Sequence, residues 1–157
     1  MSQASPSPRV TNGATFHIGI AAARFNESLV DGLLERVIAG LRGAGVKDAS
    51  IRTVRVPGSH EVPWAAQALA RTGRCDCVIG LGVLIAGATN HHEMVGDSVS
   101  QALQRVAIET RIPMINGVIV ANSPAQAKAR CVGRINRGAE FAAAALEMAV
   151  LRRTFSR

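Results

Sequence analysis

Two adjacent histidines, His91 and His92, follow the small-residue run Gly87-Ala88-Thr89-Asn90, which itself follows an apolar segment from Cys77 to Ile85. An imidazole gives and takes protons near neutral pH. A run of Gly, Ala and Thr lets backbone N–H groups approach a ligand closely. The helix that Thr89 or Asn90 can cap adds free N–H donors and the positive end of its dipole, so this junction suits a phosphate or another oxyanion. Glu93 is spaced to complete a capping box from Asn90. Taken alone, the stretch also reads as an ordinary strand-to-helix connection with two solvated histidines.

Composition narrows the partners. The chain has 157 residues, 48% hydrophobic and 18% charged, which fits one globular domain with a real core. No apolar run approaches the roughly 20 residues of a membrane span, and the first residues lack a signal peptide's layout. A cytoplasmic protein is expected. The net charge of +7 is compatible with nucleic acid, an anionic ligand or a solvated basic surface. Arginines are spread from Arg9 to Arg157, and aromatics make up only 3%, so base-stacking platforms are scarce. Small anions rank above nucleic acid on that ground. The three cysteines include Cys75-Asp76-Cys77, with no C-x-x-C pair; free thiols in a reducing compartment are the simplest account. Cys75 and Cys77 are read as small apolar side chains pointing the same way from one strand.

The elements that must position these groups read as a repeated strand-helix pattern. Met1 to Thr15, rich in Ser, Pro, Asn and Gly, reads as a flexible arm before a single domain over 16–157. Phe16–Ala22 is the first strand, followed by Arg24-Phe25-Asn26 and a helix capped by Ser28, with Leu33, Leu34, Val37, Ile38 and Leu41 at the 3.6 period. Ser50–Val56 is the second strand, and Pro57 to Pro63 turns into a helix carrying Trp64, Ala65, Ala68 and Leu69. Asp76–Ile85 is the third. The helix after it buries Val95, Val99, Ala102, Leu103, Val106 and Ala107, and Pro113 ends it before the fourth strand, Met114–Val120. Ser123-Pro124-Ala125-Gln126 opens a short basic helix to Arg130, and Ala139–Arg152 forms the last helix, whose alanines permit close packing. Successive βα units imply a parallel sheet covered on both faces, with its ligand site outside the carboxyl ends of the strands.

Read together, Ala23-Arg24-Phe25-Asn26, Val56-Pro57-Gly58-Ser59-His60-Glu61-Val62-Pro63, Gly82 to His91, Asn116-Gly117-Val118, Gln126-Ala127 with Arg130, and Asn136-Arg137-Gly138 resemble the lumazine synthase family in order and spacing. The resemblance covers about residues 16 to 155. It implies an α/β three-layer sandwich with a four-stranded parallel sheet, and a homo-oligomer, a pentamer or a multiple of pentamers, with active sites between neighbouring subunits. It implies condensation of 5-amino-6-(D-ribitylamino)uracil with 3,4-dihydroxy-2-butanone 4-phosphate to 6,7-dimethyl-8-ribityllumazine, with no metal or organic cofactor. The alternative is a non-catalytic flavin- or lumazine-binding assembly of the same fold.

Carried over by position, the resemblance implies that Phe25 stacks on the pyrimidine and that Ser59, His60 and Glu61 hold the ribityl chain. Val83, Leu84 and Ile85 would read the heterocycle through their backbone. Gly87, Ala88 and Thr89 would contact the phosphate, together with Arg130 of a neighbouring subunit, whose guanidinium suits two parallel hydrogen bonds. His91 would transfer protons. Asn116 matches a ring-contact position and Arg137 a basic position near the site, with Glu140 beside it. The family often has an aromatic at the positions of His60, His92 and Asn116 and a basic residue at Ala86, so His92 is read as surface or packing.

Overall fold

Glycines at alternate positions of one strand decide how closely the helices approach the sheet. In the strand Cys77–Ile85 the bulky residues Ile79, Leu81 and Val83 face one layer, while Gly80 and Gly82 face the other. A Cβ at Gly80 would run into Val62 and Leu103, and one at Gly82 would fall inside the Ser59 hydroxyl. Successive side chains of a strand point to opposite faces, so this spacing makes one face thick and the other thin.

The structure is a computed structural model that describes residues 6, 7, 9 and 11–156. Strands β1 (Ile18–Ala23), β2 (Ile51–Val56), β3 (Cys77–Ile85) and β4 (Met114–Ala121) form one four-stranded sheet in the order β2-β1-β3-β4, all parallel. The helices are α1 (Glu27–Gly43), α2 (Val62–Arg71), α3 (His91–Thr110), α4 (Pro124–Cys131) and α5 (Arg137–Phe155). Helices α1, α4 and α5 pack on the bulky face through Leu33, Val37, Leu41, Ala127, Phe141 and Ala145; α2 and α3 cover the other through Val62, Leu69, Val99 and Leu103. This is the three-layer α/β sandwich expected from the sequence. The alanines of α5 do bring it close to α1: a Cβ at Gly40 would meet the Ala142 methyl. No helix of the described residues is long and apolar enough to cross a membrane.

Several local expectations change. Helix α1 starts at Glu27, not after a Ser28 cap: Asn26 occupies the cap position in the left-handed region (φ 57°, ψ 46°), and its side chain is drawn away to donate to the Val83 carbonyl at 2.8 Å. The capping box from Asn90 to Glu93 does not form; Asn90 makes no side-chain cap bond, and its carbonyl accepts from Glu93 N at 3.1 Å instead. Ser123 does cap α4, accepting from Gln126 N at 3.2 Å, while the Gln126 side chain accepts from Asn122 N. Trp64 is exposed, and the buried stripe of α2 runs through Ala65, Ala66, Leu69 and Ala70. Helix α5 is longer than the expected Ala139–Arg152 at both ends; it starts at Arg137 because the Asn136 side chain accepts from Ala139 N at 3.0 Å, and it runs on to Phe155.

Cys75 and Cys77 do not point the same way. Cys75 precedes β3 and packs with the α2–α3 layer, whereas Cys77 packs with the α1–α5 layer. All three cysteines are buried and free; burial pushes the Cys75 and Cys77 thiols up and Cys131 up to about 11, which keeps thiolate scarce at neutral pH.

Between the two cysteines lies a group with no counterpart in the sequence reading. Asp76 is 5% exposed, and its carboxylate accepts from His17 N at 2.9 Å, from Arg152 Nη1 at 3.1 Å, and from Arg153 Nε and Nη2 at 2.8 and 2.7 Å. Arg153 also donates to the Thr15 carbonyl at 2.6 Å and lies over the Phe16 ring, 4.3 Å from its centroid. His17 N is thus committed to Asp76, and β1 begins at Ile18 rather than Phe16. Burial alone would raise the Asp76 carboxyl, but the Arg153 and His17 hydrogen bonds and the two arginine charges outweigh it and hold its pKa below the ordinary value. Part of the expected arm, residues 1–5, 8 and 10, lies outside the described residues. Its end is bonded to the domain: Gly13 is buried and donates to the Ala44 carbonyl at 2.7 Å.

Candidate active site

Strand order reverses between β1 and β3: the chain leaves β1 for β2 on one side and returns to β3 on the other. Loops leaving the carboxyl ends there turn in opposite directions and open a crevice. A cleft of about 430 Å³ occupies it, with walls from the ends of β1, β2 and β3 and the first turn of α3.

Backbone bonds fix the rim. Arg24 N and Phe25 N donate to the carbonyls of Val56 and Pro57 at 2.8 and 3.0 Å, so the end of β1 is stitched to the end of β2. The Asn26 side chain stitches it to β3 at Val83. Held in this way, Phe25 stands 73% exposed at the cleft edge. A large apolar ring left in water at a fixed backbone position is suited to stacking against a flat ligand.

The wall from β2 carries Ser59, His60 and Glu61 in a short 3-10 turn. Glu61 Oε2 accepts from Gly58 N at 2.8 Å, and Oε1 lies 3.9 Å from His60 Nδ1. The carboxylate is therefore oriented by its own turn yet keeps lone pairs for a ligand. Ser59 is 4% exposed.

The floor is the end of β3, with Val83, Leu84 and Ile85, and the far wall is Gly87 and Thr89 leading to His91, His92 and Val95 on α3. His91, the first residue of α3, is exposed at the cleft, where the helix's unpaired N–H groups and dipole favour negative charge. The side chain of His92 is only 11% exposed.

Of the residues read from the sequence, Phe25, Ser59, His60, Glu61, Val83, Leu84, Ile85, Gly87, Thr89 and His91 meet in this one cleft. Ala88 lies in the same turn without lining it. Asn116 is on β4 in a separate hollow with Glu93, Asp97 and Ser100, its side chain accepting from Val118 N at 3.1 Å. Arg130, in the last turn of α4, donates to the Gln126 carbonyl at 3.0 Å, and Arg137 pairs with Glu140 at 2.5 Å and lies 5.4 Å from the Phe141 ring centroid. Neither arginine lines its own chain's cleft. Asn26, Gly58, His92 and Val95 line it and were not read as site residues. For Asn26 a signal existed, an amide placed where a strand ends and a helix begins; for His92 helical spacing alone could not tell wall from surface. Among the described residues, no cluster of three or more His, Cys, Asp and Glu side chains is placed to hold a metal ion.

The 6,7-dimethyl-8-ribityllumazine synthase family matches residues 15–153 of the chain. A protein of Polaromonas sp. (strain JS666) named 6,7-dimethyl-8-ribityllumazine synthase is 40% identical over 140 residues, covering 89% of each chain. A match over nearly the whole domain, with the cleft at its switch point, establishes that the chain belongs to the 6,7-dimethyl-8-ribityllumazine synthase family.

Proposed function

We propose that this cleft condenses 5-amino-6-(D-ribitylamino)uracil with 3,4-dihydroxy-2-butanone 4-phosphate to 6,7-dimethyl-8-ribityllumazine, releasing phosphate and water, the penultimate step of riboflavin biosynthesis. The observation that carries the reading is the convergence on one cleft of an exposed aromatic ring, an oriented carboxylate, a small-residue turn and a histidine at a helix start. Phe25 stacks on the pyrimidine, and the end of β3 reads its edge. Ser59, His60 and Glu61 hold the ribityl hydroxyls. The Gly87–Thr89 turn and the start of α3 receive the phosphate.

The chemistry needs proton traffic more than a strong nucleophile, because the substrate's own amine attacks the ketone. Imine formation, phosphate loss and ring closure each move a proton, and a general acid–base contributes about 10²–10⁴-fold. His91 carries it, a reading supported by its lining the same cleft as the Gly87–Thr89 turn, which stabilises the departing dianion. The phosphate still lacks a guanidinium, since Arg130 stands away from its own cleft. Arg130 of a neighbouring subunit supplies it, which makes the working unit a homo-oligomer, a pentamer or a multiple of pentamers, in the cytoplasm. Incubating the purified chain with both substrates should yield the lumazine chromophore and one phosphate per product; no turnover above the spontaneous reaction would refute the reading.

A further inference from the structure

Among the described residues, two buried side-chain polar atoms lack a hydrogen-bond partner, Ser59 Oγ and His92 Nδ1. Both residues line the same cleft. An unpaired buried polar atom costs about 1–3 kcal/mol, so two around one cleft call for a functional account. In the neutral imidazole that carries its proton on Nε2, the unpaired Nδ1 of His92 is an acceptor. Ser59 has a hydroxyl proton to give, and the absent side chain of Gly82 leaves room for its Oγ. An acceptor and a donor bordering one cleft match a run of hydroxyls, each of which both donates and accepts; an ionised phosphate, which only accepts, would leave His92 unpaired.

We infer that His92 is a further substrate-binding residue, whose Nδ1 accepts a hydrogen bond from a hydroxyl of the substrate's polyol chain while Ser59 Oγ donates to another. The inference rests on the lumazine-forming reading and adds a contact to it. The last torsion of a histidine side chain is broad and roughly two-fold, so turning Nδ1 toward the cleft costs little. His91, one residue earlier and exposed, keeps its separate role in proton transfer.

The test compares binding of 6,7-dimethyl-8-ribityllumazine with that of its 8-methyl counterpart, which lacks the hydroxyls, in the wild-type chain and in His92→Phe. The phenyl ring keeps the bulk and removes the acceptor. His92→Phe should weaken the ribityl compound about tenfold and leave the methyl compound unchanged, with an unfolding temperature no lower than that of the wild type. His92→Gln, which restores an acceptor, should recover part of the loss. Equal weakening of both compounds, or of neither, overturns the inference. Selective weakening by His92→Phe, together with a wild-type chain that fails to turn over, would overturn the reaction and leave the His92 contact standing.

Discussion

The two ends of the sheet are built to opposite rules. At the amino end, the Asp76 carboxylate has its hydrogen-bonding capacity filled by one backbone N–H and two arginines, and Arg153 spends its remaining donors on Thr15. At the carboxyl end, a phenyl ring stands in water, and Ser59 Oγ and His92 Nδ1 are buried without partners. Satisfied polar networks rigidify a fold, whereas unsatisfied groups are kept where a ligand can use them. Substitutions at the two ends should therefore separate cleanly, with stability lost at one and chemistry at the other.

The largest effect is expected at His91. His91→Ala should lower kcat by about 10²–10⁴-fold while product binding changes little, because a proton-transfer group acts mainly in the transition state. The exposed ring leaves no cavity behind, so the unfolding temperature should hold within a degree or two. A kcat reduced less than threefold would remove His91 from the chemistry and with it the functional contrast between the ends.

Asp76→Asn is the mirror experiment. Removing the buried charge leaves two arginines facing an amide, which should cost roughly 2–4 kcal/mol of stability with kcat unchanged. The wild type adds a pH test. Because the folded pKa of Asp76 is depressed, its contribution is fully present above the ordinary carboxylate value near 4 and is lost as pH falls through the lower folded value. The stability difference between wild type and Asp76→Asn should shrink below about pH 4; a difference constant across that range would mean the carboxylate charge is not what holds the amino end.

Arg130 tests where the carboxyl end stops. Arg130→Ala should raise the KM for the phosphorylated ketone about 10–100-fold, the worth of a charge-assisted pair, with little loss of stability. At ketone phosphate concentrations well below that raised KM, both Arg130→Ala and His91→Ala should be nearly inactive alone. After dissociation and reassembly as a mixture, some sites would combine an intact His91 from one chain with an intact Arg130 from the next, and activity should return in part. Failure to complement would place each site within a single chain.

The contrast also explains what was legible in the sequence. The parallel sheet, its helices and the sheet edge that bears the cleft follow from periodicity, because buried stripes such as Val95, Val99, Leu103 and Val106 must face the sheet wherever the exact ends fall, whereas the residues of the cleft were implied by the family resemblance. Groups that answer to distant partners were not legible. Asp76, read as the start of the third strand, shows no sign of its partners until α5 brings Arg152 and Arg153, 76 and 77 positions later, to it. Cys75 and Cys77 alternate as one strand would, but the strand starts only at Cys77, so parity misled. His92 sits one position from His91, and only the rotation of α3 against the β3 end puts it into the wall. Arg130 stays unplaced by any single chain.

The smallest effect belongs to Asn26, which combines a satisfied side chain and an unusual backbone. Its Nδ2–Val83 bond joins β1 to β3 at the cleft rim, and its φ of 57° is one that most side chains resist. Asn26→Gly keeps the backbone accessible and removes the bond, so it should cost about 1 kcal/mol. Asn26→Ala removes the bond and adds the left-handed penalty of about 1–2 kcal/mol, so it should be clearly the less stable of the two. Both variants free Phe25 from β3 and should raise the KM for the pyrimidine a few-fold, by the same factor. If alanine and glycine cost the same stability, the left-handed turn is not held in solution and α1 starts as its neighbours dictate. If KM stays put in both, the bond to Val83 serves the fold alone, and the carboxyl end owes its shape to the β1–β2 stitches at Arg24 and Phe25.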